Sequence, residues 1–365
     1  MKIGFYWKKY LNRNGVMNLS SFNNKINKII KENFSEIEDA EERNNKIIKV
    51  YEFAINKMSK NIKKDMDYNI VNLIKENNLF EKENCEHIKN IWENVFNILD
   101  NILEITQETM EAYSKEFNAQ ARKENNLTYH VIRTIHARVV LCFKECLLLL
   151  KNGYSEGATE IWRTMYELTI VASFIKHHSN NKDLAQRYID HIIVDNYKEE
   201  NEYREQYKAP QRYTSNAFKK LKNNYNSVIE KYGKSFKNDY GWATIVLNKN
   251  KPSLRDLEVN IKNTKHHPYY KSSCYYIHSN YKGNVDKIGL IDNDMLLYGP
   301  SDYGLSIPCQ NIAIILNQIN IEFFTIYFSI DCYISINVIN QYLDELLPLA
   351  DEIQQNLQKS KNNTE

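Results

Sequence analysis

The sequence has few of the residues that interrupt helices. All six prolines lie after residue 209, and only ten glycines occur among 365 residues. Because proline lacks a backbone N–H and clashes with the preceding turn, its absence from the first 209 residues permits long helices there. With 26% charged and 42% hydrophobic residues, the composition excludes collagen-like and disordered proteins.

Paired cysteines and long apolar runs are also missing. The six cysteines contain no CxxC pair, which argues against a structural zinc site and a disulfide framework. The N-terminus lacks the apolar segment of a signal peptide, and no stretch reaches the roughly 18 apolar residues of a membrane span. We therefore expect a cytoplasmic protein with reduced cysteines and no membrane partner.

Basic and acidic residues are nearly equal in number, with 48 Lys and Arg and 46 Asp and Glu. The chain as a whole therefore has no electrostatic field that identifies nucleic acid or an anionic membrane as its partner. Glycine-rich nucleotide-binding motifs are absent, as are the HExxH, GxSxG and EF-hand patterns. We expect no cofactor.

Apolar residues recur at helical spacing along most of the chain. Between residues 127 and 150, seven of them follow steps of three or four residues and form one stripe on a helix. The segments 20–80 and 86–118 have the same period. The pattern predicts an all-α protein built as a multi-helix bundle.

Glycine and proline content suggests how the bundle is divided. Four glycines and two prolines lie between residues 283 and 308, which predicts a loop region before a buried C-terminal helix at 310–343. We expect a helical N-terminal region at 1–119, a bundle domain at 120–350 and a polar tail at 351–365, disordered after Leu357.

Local signals predict several helix limits. Ser155 and Ser253 are candidate N-caps. One continuous helix is expected from about Lys182 to Lys208, and another carries Tyr270 to Tyr281.

Arg163 and Glu167 stand four residues apart on a predicted helix, close enough to form a charge-assisted pair. A catalytic interpretation places them beside His278, with Arg163 stabilising an anion, Glu167 orienting Arg163, and His278 acting as general acid and base. The alternative is a buried structural pair that fixes the helix register.

Five polar or charged residues spaced four apart form a ladder on the next predicted helix, and this ladder is a candidate metal site. His191 and Asp195 at its centre could reach one divalent ion. The alternative is a face of salt bridges, because no second helix is seen to supply ligands. The neighbouring pairs His177-His178 and His266-His267 are interpreted as surface residues. The ladder consists of Asp183, Arg187, His191, Asp195 and Glu199.

Residues 206–237 contain eight basic residues and one acidic residue, a net charge of +7, with aromatic residues between them. Lysines that neutralise phosphates and rings that stack on bases are the features of single-stranded nucleic-acid binding. The alternative is a polar helix with its aromatic residues turned into the bundle. The candidate contacts are Lys208, Arg212, Lys219, Lys220, Lys222 and Tyr225.

Three segments in order resemble a family of bacterial proteins known only as a domain of unknown function. They are ATEIWRTMYE at 158–167, YGWA at 240–243 followed by Pro252-Ser253 and Leu257-Glu258, and PYYKSSCYYIHS at 268–279 followed by GPSDYGL at 299–305. The resemblance spans roughly residues 120 to 340. It implies a helical fold with an Arg/Glu helix and a Tyr, Ser and His helix.

The chain is also distantly similar to the HEPN superfamily of helical nucleases, which is common in toxin and antiphage systems. Those nucleases place an Arg and a His within about one and a half helical turns. The nearest pairs here, Arg133 with His136 and Arg187 with His191, are closer in sequence.

Besides a metal hydrolase that would use the ladder from Asp183 to Glu199, two functions are compatible with these residues. The first is an effector that acts on nucleic acid, as a metal-independent ribonuclease in a toxin or antiphage context. The second is a non-enzymatic binding or scaffold protein that forms a homodimer through its apolar C-terminal helices.

Overall fold

The computed structural model describes residues 19–207, 214–278, 281–290 and 296–362. Every regular element in these ranges is helical and none is a strand. The predicted all-α class is therefore confirmed. The six cysteines form no disulfide. None of the described helices is long and apolar enough to span a membrane.

The chain has two compact units, Met1–Asn84 and Cys85–Glu365. The first contains α1 (Leu19–Phe34) and the beginning of α2 (Ala40–Lys123), a helix that continues into the second unit. No proline or glycine occurs within α2, so nothing in its sequence stops the helix. The boundary expected at residue 119 falls inside α2.

Two long helices form the middle of the second unit. Asn126 caps the first, because its side chain accepts a 3.0 Å hydrogen bond from the backbone N–H of Tyr129. Gly153, with φ of +80°, allows the tight turn to the second. The predicted cap at Ser155 is wrong, because the helix already begins there after Tyr154. The helices are α3 (Leu127–Lys151) and α4 (Ser155–His177).

The segment after α4 is broken more often than its sequence predicts. The expected single helix from Lys182 to Lys208 is two helices, with a break at His191. The Nε2 of His191 lies 2.9 Å from the backbone carbonyl of Asn238 and ties the break to another segment. The helices here are α5 (Lys182–Asp190), α6 (Ile192–Tyr207) and α7 (Ser215–Tyr232).

Four short helices follow, and two of them pack against α4. Ser253 caps its helix as predicted, in a capping box with Asp256. The helix that was expected to carry Tyr270 to Tyr281 ends earlier, at Ile277. The helices are α8 (Thr244–Leu247), α9 (Leu254–Asn260), α10 (His267–Ile277) and α11 (Tyr281–Val285).

The C-terminal segment contains two helices where one was predicted. The buried helix that follows the Gly/Pro-rich loop region is α12 (Ser306–Phe324), and α13 (Ile330–Asn362) comes after a turn at 325–329. The hydroxyl of Tyr113 accepts a 2.7 Å hydrogen bond from the backbone N–H of Tyr327 and holds that turn. Because α13 continues to Asn362, the disorder expected after Leu357 is wrong for residues 358–362.

The core of the second unit lies where α3, α4 and α12 pack together. Trp162 is 1% exposed and donates a 3.0 Å hydrogen bond to the backbone carbonyl of Asn311. On α3, His136 is fully buried, and its Nε2 lies 2.8 Å from the Oδ1 of Asn320. Burial lowers the pKa of His136 to about 4, because the apolar surroundings disfavour its charged form.

Candidate functional site

Arg163 and Glu167 form the predicted pair on α4. Their side chains are 20% and 27% exposed, and the guanidinium Nη2 lies 3.0 Å from the Oε1 of Glu167. The Nη1 donates a second bond, of 3.2 Å, to Oε2. The two bonds fix the plane of the guanidinium, because each terminal nitrogen meets a different carboxylate oxygen.

Helix α10 adds two groups to this pair. The hydroxyl of Tyr270 accepts a 2.9 Å hydrogen bond from the Nη2 of Arg163 and donates one of 2.7 Å to Glu167. Cys274, one turn further along α10, accepts a bond from the Nε of Arg163 at 3.4 Å. Four polar side chains on two helices therefore form one partly buried cluster, which we call the Arg163 cluster.

Burial and the neighbouring polar groups together determine the protonation of the Arg163 cluster. Burial raises the pKa of the Tyr270 phenol, and its bond to the Glu167 carboxylate raises it further. Tyr270 therefore stays protonated, and its hydroxyl donates a hydrogen bond to Glu167. Burial alone would lower the pKa of Arg163, but its contacts with Cys274 and Glu167 outweigh burial and raise it. The guanidinium is a permanent cation.

A second network lies beside the Arg163 cluster, around Glu258 on α9. This carboxylate is completely buried. It accepts a 3.0 Å hydrogen bond from the hydroxyl of Tyr166 and a 2.9 Å bond from the Nη1 of Arg255. The Nδ1 of His267 lies 2.8 Å from the same carboxylate. We call these four residues the Glu258 network.

The two groups of residues are in contact. The rings of Tyr166 and Tyr270 have centroids 5.4 Å apart. Because Tyr166 belongs to the Glu258 network and Tyr270 to the Arg163 cluster, α4 is joined to α9 and α10 by one continuous set of polar and aromatic side chains.

The structure does not bring His278 to the pair on α4. His278 caps the C-terminal end of α10, immediately after Ile277, and its side chain is exposed. It makes no side-chain hydrogen bond or ion pair with any residue in the described ranges. Of the predicted set of three, the structure therefore brings together only Arg163 and Glu167.

The step-of-four ladder is divided between α5 and α6. Arg187 is buried and donates hydrogen bonds to the carbonyl of Trp242 at 3.1 Å and to the Oγ1 of Thr244 at 2.9 Å. His191 contacts Asn238 through one nitrogen and Asp195, at 3.3 Å, through the other. Both nitrogens of the candidate metal ligand thus have protein partners, and no three possible metal ligands cluster in the described ranges.

The interpretation of His266-His267 as surface residues is wrong. His267 is 27% exposed because it bonds Glu258. His266 is half-buried, and burial lowers the pKa of its imidazole.

The basic stretch is partly balanced by its neighbour. Helix α7 carries four lysines and one glutamate, a net charge of +3, while α6 carries five acidic and two basic residues, a net charge of −3. The two helices pack together. Lys219, Lys220 and Lys222 are exposed. Lys208 and Arg212 lie outside the described residues.

The aromatic residues of α7 point towards the protein. The ring of Tyr225 stacks on Tyr197 of α6 at a centroid distance of 4.2 Å, and Phe218 stacks on the same ring at 5.9 Å. One face of the Tyr225 ring is therefore occupied by a neighbouring side chain. These contacts agree with the alternative prediction for this stretch, in which the aromatic rings turn into the bundle.

Sequence reasoning missed the connections of three residues. Tyr270 bridges the Arg163 pair, and the imidazole of His267 contacts the buried carboxylate of Glu258. The signal available for Glu258 was an acidic residue within an apolar segment, between Leu257 and Val259, since a carboxylate is rarely buried without partners.

Comparisons with known proteins identify a family of unknown function and no named activity. This is an all-helical protein whose candidate site joins α4 to α9 and α10. Residues 129–295 match the model of the Family of unknown function (DUF5677). This range includes the Arg163 cluster and the Glu258 network. The predicted resemblance to an uncharacterised family is confirmed over this range, whereas similarity to the HEPN superfamily is not shown. No curated protein and no solved structure matches the chain.

Proposed function

We propose that this chain is a cytoplasmic effector that acts on nucleic acid, in a toxin or antiphage context, and that the Arg163 cluster cleaves RNA without a metal ion. The observation that carries the proposal is the guanidinium of Arg163, whose side chain is 20% exposed and which Glu167 and Tyr270 hold in a fixed plane. A cation that is already oriented stabilises a developing negative charge without reorganisation during the reaction.

Arg163 has hydrogen-bonding capacity left for a phosphate. Each terminal guanidinium nitrogen carries two N–H groups, and Nη1 uses one of them for Glu167. The other is available for a phosphate oxygen. In this role Arg163 stabilises the phosphorane, while Glu167 and Tyr270 act as positioning residues.

His278 supplies the proton transfer in this proposal. It is exposed at the C-terminal end of α10, one turn beyond Cys274, and an imidazole ring offers both an acceptor and a donor nitrogen. His278 accepts the proton of the ribose 2′-hydroxyl as that oxygen attacks the phosphorus. The bond between phosphorus and the 5′ oxygen breaks, and this oxygen takes the proton that His278 had accepted, which regenerates His278. The products are a 2′,3′-cyclic phosphate and a free 5′-hydroxyl.

Exposed lysines support an RNA partner. Lys219, Lys220 and Lys222 lie within one turn of α7 and face solvent. Each lysine that contacts a phosphate releases condensed counterions, so RNA binding through them weakens steeply as salt rises. Their role in the proposal is to hold the RNA backbone.

The test is cleavage of a single-stranded RNA by the full-length protein in the presence of EDTA. We expect fragments that end in a 2′,3′-cyclic phosphate. Intact RNA, or cleavage that needs an added divalent ion, would contradict the proposal.

A non-enzymatic binding or scaffold function is the second candidate. Four large apolar side chains are exposed around the beginning of α13, between 45% and 74% of their area. An exposed apolar patch of this kind often marks a protein–protein interface. The patch, which we call the α13 patch, consists of Phe328, Ile330, Tyr333 and Ile334.

For the second candidate, the α13 patch forms the homodimer that was expected from the C-terminal helices. Its test is the mass in solution of the Ile330→Glu, Ile334→Glu double variant. Loss of a wild-type dimer, together with RNA that stays intact, would favour this candidate. An unchanged mass would exclude the α13 patch as the dimer interface.

A further inference from the structure

Helices α10 and α11 carry lysines and tyrosines side by side. Lys271 and Tyr275 are four residues apart on α10 and are therefore neighbours. Lys271 is exposed and forms no ion pair in the described ranges. The ammonium of Lys282, on α11, lies 4.8 Å from the centre of the Tyr275 ring, and Lys282 remains 59% exposed although Asp286 is 3.9 Å away. Tyr281 precedes Lys282 and is 81% exposed. We call Lys271, Tyr275, Tyr281 and Lys282 the α10–α11 surface.

The packing of α11 on α10 fixes the position of Tyr281. A Cβ at Gly283 would collide with the backbone carbonyl of Tyr275, so the two helices approach each other closely there. The contact of Lys282 with the Tyr275 ring is a second link between them. Tyr281 therefore stands exposed on a packed helix, where its ring can receive a nucleobase on its face.

Positive charge is in excess around this surface. Residues 262–287 contain five lysines and one acidic residue, a net charge of +4, whereas the whole chain carries +2. Two acidic residues of α4, against which α10 packs, already have cationic partners. The carboxylate of Glu156 lies 2.9 Å from the Nζ of Lys287, and that of Glu167 lies 3.0 Å from the Nη2 of Arg163. The excess favours a polyanion as the partner.

The α10–α11 surface adjoins the Arg163 cluster. Lys271 follows Tyr270, a member of that cluster, by one residue. Tyr281 follows His278 by three residues, so their Cα atoms are at most about 11 Å apart. Successive nucleotides of a stacked strand are about 3.4 Å apart. An RNA strand whose cleaved phosphate lies at Arg163 and His278 therefore reaches Tyr281 within a few nucleotides.

We propose that the α10–α11 surface binds the substrate of the Arg163 cluster as an unpaired RNA strand, with a base stacked on Tyr281 and phosphates at Lys271 and Lys282. The inference rests on the proposed ribonuclease and states that its substrate is single-stranded rather than duplex RNA. Lysines beside an exposed ring are the combination that binds single-stranded nucleic acid. A duplex keeps its bases stacked on one another. An acidic peptide would pair with the lysines but would leave the ring of Tyr281 without a partner.

The test is the affinity of the full-length protein for a single-stranded RNA, measured by fluorescence anisotropy. The 2′-hydroxyls of this RNA are methylated, so the proposed cleavage cannot occur and binding is measured by itself. We expect the strand to bind, and its duplex with the complementary strand to bind at least about 5-fold more weakly, because the duplex offers no unstacked base.

Tyr281 is tested by two substitutions. Tyr281→Ala should weaken binding of the single strand about 5-fold to 150-fold, which corresponds to about 1 to 3 kcal/mol for one stacked base. Tyr281→Phe keeps the ring and should bind as the wild type does. The matched control is Tyr68→Ala on α2, because Tyr68 is 88% exposed and its loss should leave the affinity unchanged. Circular dichroism checks that every variant stays helical.

The lysines are tested through the salt dependence of binding. A phosphate contact on a single strand contributes about 0.7 to the slope of log affinity against log salt. Lys271→Gln with Lys282→Gln should therefore make the slope less steep by about 1.4. The control pair is Lys57→Gln with Lys60→Gln, because both lysines are exposed on α2 and outside the proposed surface.

The outcomes separate this inference from the proposed ribonuclease. Equal affinity for strand and duplex, or a Tyr281→Ala variant that binds as tightly as the wild type, would overturn the inference and leave cleavage to its own assay. Failure of the wild type to bind the strand would overturn it as well. Binding that depends on Tyr281, in a protein that leaves unmodified RNA intact, would support the surface and contradict the ribonuclease.

Discussion

The Nη2 of Arg163 lies 2.9 Å from the hydroxyl of Tyr270, and this bond links α4 to α10. The same hydroxyl donates to Glu167 at 2.7 Å. Tyr270 is thus both the acceptor for the cation and the donor to the carboxylate that neutralises it. The orientation of Arg163 depends on a residue more than 100 positions away in sequence.

The first prediction concerns this bridge. Tyr270→Phe removes two hydrogen bonds and leaves the ring in place, so the free energy of unfolding should fall by about 1 to 3 kcal/mol. Tyr269→Phe is the matched control, because Tyr269 is 45% exposed and should change stability by less than about 0.5 kcal/mol. Urea denaturation measures both. Equal stability of the two variants would show that the bridge contributes nothing.

The second prediction concerns the buried carboxylate of Glu258. Glu258→Gln leaves Arg255 and His267 beside a neutral amide, and we expect a loss of about 2 to 4 kcal/mol in unfolding free energy. Glu145→Gln serves as the control, because the pair of Glu145 with Arg138 is about half exposed and its atoms are 4.0 Å apart. Exposed pairs contribute at most about 1 kcal/mol. Similar losses in both variants would contradict the account of the Glu258 network.

The third prediction is a dependence of stability on pH that comes from His136. Its pKa is about 4 in the folded protein and about 6.5 in an unfolded chain. Between these values the unfolded state binds a proton that the folded state does not, so stability falls as pH drops from about 6.5 to 4. The full difference corresponds to about 3 kcal/mol.

The variant His136→Gln isolates this contribution. It removes the titrating group, so its unfolding free energy should change less than that of the wild type between pH 6.5 and 4. Chemical denaturation at a series of pH values measures the difference. Parallel curves for the two proteins would show that His136 does not cause the acid sensitivity.

The fourth prediction compares two glycines. A Cβ at Gly241 would lie 2.3 Å from the carbonyl oxygen of Phe236, whereas one at Gly157 would meet only the end of the Leu149 side chain, at 3.3 Å. Gly241→Ala should therefore destabilise the protein by more than about 2 kcal/mol. Gly157→Ala, inside α4, should be neutral or stabilising by up to about 1 kcal/mol. Thermal unfolding measures both, and the opposite order would be inconsistent with the described packing.

The sequence predicts helices well where local signals agree. The expected helix at 127–150 is α3 at Leu127–Lys151, because a regular apolar stripe, an asparagine cap and a glycine turn all point to the same limits. The breaks at His191 and at 325–329 were missed. No proline or glycine marks them, and their contacts, such as that of His191 with Asn238, come from segments distant in sequence.

For the candidate site, too, the sequence predicts contacts within one helix but not contacts between helices. Arg163 and Glu167 were found because residues four apart on a helix are neighbours. Tyr270 and Glu258 join the site only because α9 and α10 pack against α4, and no local pattern reports that packing. The stacking of Tyr225 on Tyr197 was similarly invisible, since it depends on the packing of α7 against α6.

The most direct test of the proposed ribonuclease is the rate of RNA cleavage, in EDTA, by the wild type and by Arg163→Gln and His278→Gln. Because one residue stabilises the phosphorane and the other transfers the proton, we expect each variant to lose at least about 100-fold in rate. His278 is exposed, so its variant should retain wild-type stability. Cleavage by His278→Gln at the wild-type rate, in a protein that is still folded, would contradict the account.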